Sequence, residues 1–497
     1  MRYDLLVVGG GIHGSAVARD AALRGLEVLL LERGDLASGT SSRSSKLIHG
    51  GIRYLETGQL RLVHEALRER ALLLELAPTH VRPLRFLVPH YRGDRRSRLL
   101  VRIGLGVYGA LAGRHPLAVH GGLTAAEAVG LEPMLETSGL LGASLYWDAQ
   151  TDDASLCVAV ALDAERAGAA IKTYTSVVGL LAQGSGWRAR FRTLETGEEG
   201  EVTARCVVNA AGPWAEEIRA LLRPPRPPEM RRTRGTHVVI PSATRGQGLL
   251  LTAKQDGRAF FVLPWGGYSL VGTTDVDDLA LADRVDPHPE EVRYLLDEAG
   301  RALPGIRLWR KPYRAFAGLR SLAREGSRLP WANTREDRIV EEGTLLTLIG
   351  GKYTTHRSLA ERVVNRAVGL VRIRAGACAT AVTPLPADRD ERVARRRTEH
   401  KGSLRLGEGL EISEAEVVHA VRAEHAKHVE DVLLRRSRLW LDGEAMRIAA
   451  GLVAEWMAPQ LGWSEAERDR EARAARDGIA EEARIIEAAI EMRAEGA

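Results

Sequence analysis

Three glycines near the N-terminus have the spacing of a nucleotide-binding turn. Gly9, Gly11 and Gly14 follow a short apolar run in the pattern G-x-G-x-x-G. The first glycine permits a tight turn, the second lets the backbone approach a pyrophosphate, and the third lets a helix pack closely on a strand. The chemistry indicated is binding of a phosphate at a helix N-terminus, where unpaired N–H groups and the helix dipole favour an anion.

The helix and strand that are predicted to hold this turn come directly after it in the sequence. Residues 15–24 are predicted to form a helix that ends at Gly25, and residues 27–32 are predicted to form the second strand. Glu32 ends that strand, at a position where an acid accepts both ribose hydroxyls and repels a 2′-phosphate, so NADP is disfavoured. The alternative is a glycine-rich turn without a ligand, which the register of strand, helix, strand and acid disfavours.

Three further glycine-bearing segments lie downstream. They are a serine-rich loop over residues 40–54, a Val-Val-Asn-Ala-Ala-Gly stretch over 207–212, and a Gly-Gly-Lys stretch over 350–352. Together with the first segment, and in this order along the chain, they indicate an enzyme that binds a flavin.

Length and composition limit the class of protein. The 497 residues are too many for one ordinary core, so two or three domains are predicted. The hydrophobic share of 45% is typical of globular proteins, and no run approaches the roughly 20 apolar residues of a membrane span. The first strand begins at residue 3 or 4, which leaves no room for a signal peptide and predicts a cytoplasmic location.

Charge and cysteine content exclude further classes. The formal net charge is +5, but no recognition motif accompanies it, so nucleic-acid binding is not predicted. Cys157, Cys206 and Cys378 are few and far apart, and they predict neither disulfides nor a metal site.

The order of elements predicts an α/β fold with a discontinuous, Rossmann-like FAD-binding domain. Its predicted segments are 1–88, 145–222 and 310–372. Residues 89–144 and 223–309 are predicted to form a substrate domain, whose alternating strands at 236–240, 259–263 and 268–272 indicate an antiparallel sheet above a substrate cavity. Residues 385–497 are rich in Ala, Glu and Arg at helical spacing and predict an all-α C-terminal domain.

At this point the motifs match a known family. The chain resembles the FAD-dependent (aerobic) glycerol-3-phosphate dehydrogenases over essentially its whole length, and the motifs that carry the resemblance are Gly9–Gly14, Ser41–Glu56, Arg234–His237, Gly272–Asp275, Gly350–Thr355 and Glu430–Arg436. Two departures stand out. Ala317–Ser321 replaces a usual Gly-Val-Arg-Pro although Arg320 is retained, and His356 takes the place of a usual tyrosine.

The resemblance implies an activity and its substrate residues. The reaction would be oxidation of sn-glycerol 3-phosphate to dihydroxyacetone phosphate, with hydride passing from C2 to flavin N5 and electrons passing to a membrane quinone. A phosphate ester needs fixed positive charge, which arginine supplies bidentately. Arg53, Arg320 and Lys352 are the candidates, and the resemblance implies that all three face the flavin.

Alcohol oxidation also needs a base for the hydroxyl proton. The resemblance favours His237, while His49 lies in the flavin loop, and an arginine-rich pocket that lowers the pKa of the hydroxyl itself is the alternative. Tyr54 and Thr274 are predicted only as hydrogen-bonding or shaping residues.

The resemblance also implies a set of cofactor-binding residues. They are Gly9, Gly11, Ile12, His13, Gly14, Glu32, Arg33, Thr40, Ser41, Ser42, Ser45, Lys46, Leu47, His49, Gly50, Gly51, Val178, Ala211, Gly212, Gly351, Lys352 and Thr354. A helix is predicted to start near Thr354, and its N-terminus would stabilise negative charge on the reduced flavin.

Passing electrons to quinone implies a peripheral position on the inner face of the cell membrane. In residues 92–111 clustered arginines flank an apolar stretch, as in an interfacial segment on anionic lipid. A helix that lines a cavity and has a basic end fits equally well. His419, His425 and His428 do not complete a metal site. The oligomeric state stays open, with a homodimer among the options.

The sequence is also compatible with three other functions. A glycerophosphate oxidase would use O2 in place of quinone. A flavin amine or hydroxy-acid oxidase would use Arg53 or Arg320 as its carboxylate anchor. A redox module would bind FAD without turning over a phosphate ester.

Overall fold

A computed structural model describes residues 2–94, 96–113, 117, 120–278, 285–306, 312–324, 337–387 and 389–494. An eight-stranded sheet is built from β1 (Arg2–Val8), β2 (Val28–Leu31), β7 (Ala170–Lys172), β8 (Thr175–Gln183), β9 (Gly186–Thr193), β10 (Glu199–Asn209), β17 (Arg338–Glu342) and β18 (Leu345–Ile349). Strands β18, β10, β1, β2 and β7 run parallel in that order, and β8, β9 and β17 join antiparallel.

Helices cover this parallel sheet because its strands are apolar on both faces. They are α1 (Ile12–Leu23), α5 (Asp153–Arg166) and α8 (His356–Val371), which share one core with the sheet. Small residues on α1 let α5 and α8 pack directly against it. This arrangement confirms the predicted Rossmann-like unit.

A second, ten-stranded sheet lies beside the first. Its strands are β3 (Leu47–Ile48), β4 (Val81–Tyr91), β5 (Gly121–Leu123), β6 (Leu140–Thr151), β11 (Met230–Pro241), β12 (Gly248–Thr252), β13 (Ala259–Trp265), β14 (Tyr268–Gly272), β15 (Val276–Asp277) and β16 (Arg314–Ala323). All neighbours pair antiparallel except β4 and β12. The helices that accompany it are α2 (Leu60–Leu76), α3 (Arg98–Leu111), α4 (Ala125–Leu131) and α7 (Pro289–Ala302), whereas the short α6 (Ala215–Arg219) packs on β18 of the first sheet.

Strand pairing divides the predicted FAD-binding segments between the two sheets. Within those segments, the parts that pair into the second sheet are residues 47–48 of β3, 81–88 of β4, 145–151 of β6 and 314–323 of β16. The physical reason is that β16 pairs with β11 along ten residue positions, from Met230 opposite Ala323 to Val239 opposite Arg314. A continuous antiparallel ladder of this kind is invisible in the period of either strand alone.

The C-terminal region is helical, as predicted, and it also contains a short hairpin. The elements are α9 (Arg389–Arg396), β19 (Ser403–Gly407), β20 (Leu410–Ser413), α10 (Glu414–Ala423), α11 (Val429–Arg435), α12 (Gly443–Leu461) and α13 (Glu465–Ala494). The hairpin departs from a strictly all-α domain. Within the described ranges no helix combines the length and apolarity needed to cross a bilayer.

Candidate functional site

The glycine turn after β1 tolerates no side chain at its first and last glycines. Gly9 has φ +110°, and a Cβ there would lie 2.6 Å from the Ala210 carbonyl oxygen. A Cβ on Gly14 would lie 1.9 Å from the Gly9 carbonyl oxygen. Both glycines are therefore required by the close approach of β1, α1 and the end of β10.

Glu32 at the end of β2 is fixed by the same turn. Its carboxylate accepts backbone N–H bonds from Gly10 at 2.5 Å and from Gly34 at 2.7 Å. Burial raises the pKa of this carboxyl. Arg33 turns outward to an ion pair with Glu217 at 3.1 Å.

The serine-rich loop is attached to both sheets. Ser41 Oγ accepts the N–H of Ile12 at 2.9 Å, and the Thr40 hydroxyl donates to the Leu319 carbonyl oxygen at 2.5 Å. Lys46 pairs with buried Asp153 and lies 4.2 Å from the centre of the Trp440 ring. Lys46 therefore anchors the loop from behind and does not line the cavity.

Gly50 and His49 hold the next part of this loop. The Thr354 hydroxyl accepts the N–H of His49 at 3.0 Å and donates to the carbonyl of His49 at 3.2 Å. Gly50 N–H donates to Asp148 Oδ1 at 3.3 Å, and a Cβ on Gly50 would lie 2.4 Å from Tyr108 Oη. Tyr108 of α3 thus packs against this part of the loop.

Asp148 is a buried anchor that the motifs do not reveal. Its carboxylate accepts from Arg70 Nη1 at 2.6 Å and from Tyr108 Oη at 2.9 Å, and Arg70 also donates to the Trp147 carbonyl at 3.0 Å. Asp148 lies on β6, about 100 residues from the loop it holds. A lone aspartate in a strand carries no sequence signal of this role.

Gly350 and Gly351 bring the backbone next to α1. They have φ +76° and +88°, and a Cβ on Gly351 would lie 2.7 Å from the His13 ring. Burial lowers the pKa of His13, so this imidazole is neutral at neutral pH. Its Nε2 lies 3.4 Å from the Lys352 carbonyl oxygen.

One cavity of about 1160 Å³ joins these parts and runs between the two sheets. The predicted residues that line it are Gly9, Gly11, Ile12, His13, Glu32, Arg33, Thr40, Ser41, Ser42, Ser45, Leu47, His49, Gly51, Arg53, Tyr54, Ala211, Gly212, His237, Arg320, Gly351, Lys352 and Thr354. Gly14, Lys46, Gly50, Val178 and Thr274 do not line it. On β8 it is Val177, the neighbour of Val178, that faces the cavity, because side chains alternate along a strand.

The wall of this cavity carries three cations, Arg53, Arg320 and Lys352. Lys352 Nζ lies 3.7 Å from the centre of the Tyr54 ring, and Arg53 Nη1 donates to the Ala259 carbonyl at 3.1 Å. Arg320 donates to the Thr273 hydroxyl at 2.9 Å and pairs with Asp275 at 3.2 Å. Arg320 and the loop after β14 are therefore held as one unit.

His237 lies on β11, which pairs with β16, the strand that carries Arg320. Its Nε2 is 2.9 Å from the Ser45 hydroxyl, and its ring stacks on Phe316 with centroids 5.2 Å apart. Burial, together with the charges of Arg320 and Lys46, lowers the pKa of His237 to about 3. The imidazole is therefore neutral at neutral pH, and the same low pKa makes it a weak base before substrate binds.

Thr274 shapes the cavity from outside its wall. Its hydroxyl accepts the N–H of Thr236 at 2.9 Å and donates to Glu291 Oε1 at 2.5 Å. Glu291, on α7, was not among the predicted site residues.

The C-terminal domain also reaches the cavity. Trp440 lines it, and Arg314 on β16 forms a bidentate pair with Glu482 of α13 at 2.6 and 2.9 Å. Neither contact has a signal in the sequence, because the partners are far apart along the chain. Among the described residues no cluster of His, Cys, Asp or Glu could hold a metal.

Comparison with known proteins agrees with this geometry. Residues 4–356 match the FAD dependent oxidoreductase family, and residues 378–468 match the C-terminal domain of alpha-glycerophosphate oxidase. A glycerol-3-phosphate dehydrogenase of Mycobacterium leprae is 36% identical over 95% of this chain and 87% of its own length. The chain belongs to the FAD-dependent glycerol-3-phosphate dehydrogenase family.

Two further relatives differ in the phosphate ester that their names carry. The glycerol-3-phosphate dehydrogenase of Bacillus halodurans, solved in complex with FAD, has a TM-score of 0.76 and 25% identity, covering 97% of this chain and 95% of that one. A D-erythritol 1-phosphate dehydrogenase of Brucella abortus is 36% identical over 91% of this chain and 97% of its own length. Proteins similar to this chain are thus named for polyol phosphates of different length.

The residues of this dehydrogenase fit FAD. The cradle at Gly9 and Gly14 excludes any Cβ, the carboxylate of Glu32 is held where a ribose-binding acid belongs, and the cavity continues from there to Lys352. Its volume exceeds the roughly 300–1,000 Å³ of ordinary small-molecule sites, as a dinucleotide together with a substrate requires.

Proposed function

We propose that this enzyme oxidises the C2 hydroxyl of sn-glycerol 3-phosphate and releases dihydroxyacetone phosphate. The observation that carries the proposal is that Arg53, Arg320, Lys352 and His237 all line one cavity, which is the cavity that also contains the nucleotide turn. FAD, when bound, supplies the hydride acceptor at N5.

Side chains of the enzyme bind the phosphate ester and accept the hydroxyl proton. Arg53, Arg320 and Lys352 attract the phosphate ester and orient its carbon chain, since fixed cations in a cavity of low dielectric bind a dianion strongly. His237 accepts the hydroxyl proton at a ring nitrogen. The alternative is that the three cations lower the pKa of the hydroxyl itself and that His237 only orients it.

An anaerobic titration of the purified holoenzyme tests the substrate class. We expect sn-glycerol 3-phosphate to bleach the oxidised flavin spectrum, and D-erythritol phosphates to do so at higher concentration. Glycine and glycolate are expected to leave the spectrum unchanged. Bleaching by a carboxylate and not by a phosphate ester would instead favour the amine or hydroxy-acid oxidase.

We further propose that the electrons pass to a membrane quinone and that α3 docks on the inner face of the cell membrane. Leu99, Leu100, Ile103 and Val107 on this helix are 67, 57, 56 and 40% exposed. An exposed apolar stripe of this kind on one helix supports an interfacial role over a helix that lines a cavity.

Basic residues and the position of the helix support the same proposal. Arg98 and Arg102 are both exposed on α3, while Arg95 of the same basic cluster lies outside the described residues. The inner face of α3 packs on the 3₁₀ turn Ile52–Leu55, which carries Arg53 and Tyr54. A lipid-soluble acceptor arriving along α3 would therefore reach the substrate end of the cavity directly. A homodimer stays a prediction.

Flotation with vesicles of anionic lipid tests this docking. We expect Leu100→Glu with Ile103→Glu to abolish flotation and to reduce electron transfer to a quinone in the vesicles. Activity with a water-soluble dye should be retained. The matched control is Leu181→Glu, which alters a leucine that is 63% exposed on β8. Unchanged flotation of the α3 variant would contradict the proposal, and peroxide formed at the full turnover rate would favour the oxidase.

A further inference from the structure

Two motifs of the substrate end share one buried carboxylate. Glu291 lies in the first turn of α7 and is 7% exposed. Its Oε1 accepts the hydroxyl of Thr274 at 2.5 Å, and its Oε2 accepts Arg234 Nε at 2.7 Å. Arg234 begins the Arg-Gly-Thr-His motif on β11, and Thr274 belongs to the Gly-Thr-Thr-Asp motif after β14.

From Thr274 the contacts continue to both groups that the proposed reaction uses. The Thr274 hydroxyl accepts the N–H of Thr236, the residue before His237, at 2.9 Å. The Thr274 carbonyl accepts from Nη1 and Nη2 of Arg320, both at 3.2 Å. One threonine therefore connects the strand of the imidazole with the guanidinium.

We propose that Glu291 is a positioning residue that sets the separation of Arg320 and His237. This inference rests on the proposed function, in which Arg320 binds the phosphate and His237 receives the proton. Glu291 touches neither the substrate nor the cofactor, and it acts through Thr274 and Arg234.

The chemistry of the contacts requires an acceptor on both sides of the side chain. Arg234 is a donor only, and the single proton of Thr274 must point at Glu291 so that its lone pairs face Thr236 N–H. A glutamine at this position has one oxygen and one NH₂ group. Its NH₂ group would therefore face either the Thr274 hydroxyl or Arg234 Nε, both of which are donors. If its oxygen stays with Arg234, the Thr274 proton loses its acceptor and the hydroxyl reorients.

A matched control lies on the same helix. Glu298 is 1% exposed, two turns along α7, and accepts backbone N–H bonds from Lys254 at 2.6 Å and Gln255 at 3.2 Å. It supports the turn between β12 and β13, away from both motifs. Glu298→Gln therefore removes an equivalent buried charge from α7 without touching Thr274.

The experiment compares Glu291→Gln, Glu298→Gln, Thr274→Val and Thr274→Ser as FAD-loaded enzymes, with a dye as acceptor. We expect Glu291→Gln and Thr274→Val to lower kcat/KM for sn-glycerol 3-phosphate by about ten- to a hundredfold, because displacements near 1 Å have effects of this size. Thr274→Ser should restore most of the activity. Glu298→Gln should match the parent in kcat/KM and match Glu291→Gln in melting temperature.

Two readouts separate positioning from general structure. The inhibition constant of inorganic phosphate reports on Arg320, and the solvent deuterium isotope effect on kcat reports on proton transfer to His237. Both should change in Glu291→Gln and neither in Glu298→Gln. If Glu291→Gln behaves as Glu298→Gln while Arg320→Ala is impaired, the inference is overturned and the proposed function stands. If the parent enzyme is not reduced by the phosphate ester at all, the proposed function itself fails.

Discussion

Arg320 shows how one side chain is prepared for its proposed role. Its guanidinium is 19% exposed and is bound by the Thr273 hydroxyl, the Thr274 carbonyl and Asp275. An arginine held by several partners loses little further freedom when a phosphate arrives, so its charge is available at low entropic cost.

Arg320→Ala is expected to raise KM for sn-glycerol 3-phosphate by about ten- to a hundredfold, since charge-assisted hydrogen bonds contribute roughly 1.5–3 kcal/mol. Steady-state kinetics with a dye acceptor measures this. The matched control is Arg231→Ala on the neighbouring strand, where the arginine pairs with Asp277 at the surface. An unchanged KM in Arg320→Ala would remove this residue from the phosphate site.

Buried histidines give the protein an acid-sensitive stability. His356 is 3% exposed, and its Nδ1 lies 2.8 Å from the Tyr353 carbonyl oxygen, while burial lowers its pKa to about 3. In the unfolded chain a histidine takes up a proton near pH 6.5. Below that pH protonation therefore favours the unfolded chain, and stability is lost as the pH falls from 6.5 toward 3.

His356→Gln is expected to flatten this dependence, since glutamine keeps an N–H donor for Tyr353 and does not titrate. The loss of unfolding free energy between pH 6.5 and pH 5 should shrink by about 2 kcal/mol. Urea unfolding at both pH values, with FAD in constant excess, measures it. Equal losses in variant and parent would show that folding does not lower the pKa of His356.

At the scale of elements, the junction of β1, α1 and β10 depends on Gly14. Gly14→Ala is expected to abolish FAD retention, because its Cβ would lie 1.9 Å from the Gly9 carbonyl oxygen and force the turn apart. Gly369→Ala is the control within helix α8, where a Cβ meets nothing within 4 Å. That variant should keep its FAD and gain about 0.5–1 kcal/mol of stability. The flavin-to-protein absorbance ratio after gel filtration decides between the two outcomes.

At the scale of the whole molecule, buried ion pairs join the C-terminal domain to the loop that follows β2. Asp35, directly after the Glu32 turn and 1% exposed, accepts from Arg435 at 2.5 Å and from Arg436 at 2.8 Å. Arg435 also binds Asp431, which in turn accepts the hydroxyl of Tyr174 at 2.7 Å. We therefore expect the loop that carries Glu32 and Asp35 to unfold together with the C-terminal domain.

Asp35→Asn is expected to cost about 3 kcal/mol and to weaken FAD binding, because it removes the counter-charge of two buried arginines. Glu217→Gln breaks an exposed pair with Arg33 in the same loop and should cost less than about 1 kcal/mol. Thermal unfolding and FAD titration of both variants test the difference. Similar effects in the two variants would contradict a special role for the buried pair.

The sequence by itself determined the features that depend on local backbone physics. The spacing of Gly9, Gly11 and Gly14, the position of α1 and the strand that ends at Glu32 follow from steric rules and periodicity within a few tens of residues. For the same reason the alternating strands of the second sheet were predicted correctly. The order of the five parallel strands and the pairing of β16 with β11 could not be predicted, because strand partners far apart in sequence leave no mark on either strand.

Only the tertiary structure decided which distant side chains support the site. Asp148, Glu291, Asp35 and Trp440 lie outside the motifs that predict the cavity, and Lys46 and Thr274, although within those motifs, act behind its wall. A buried carboxylate is defined by the donors that surround it, and folding brings those donors together from separate elements. The sequence therefore specifies the glycines that let backbone meet cofactor, and the fold specifies the partners that hold the charged groups in place.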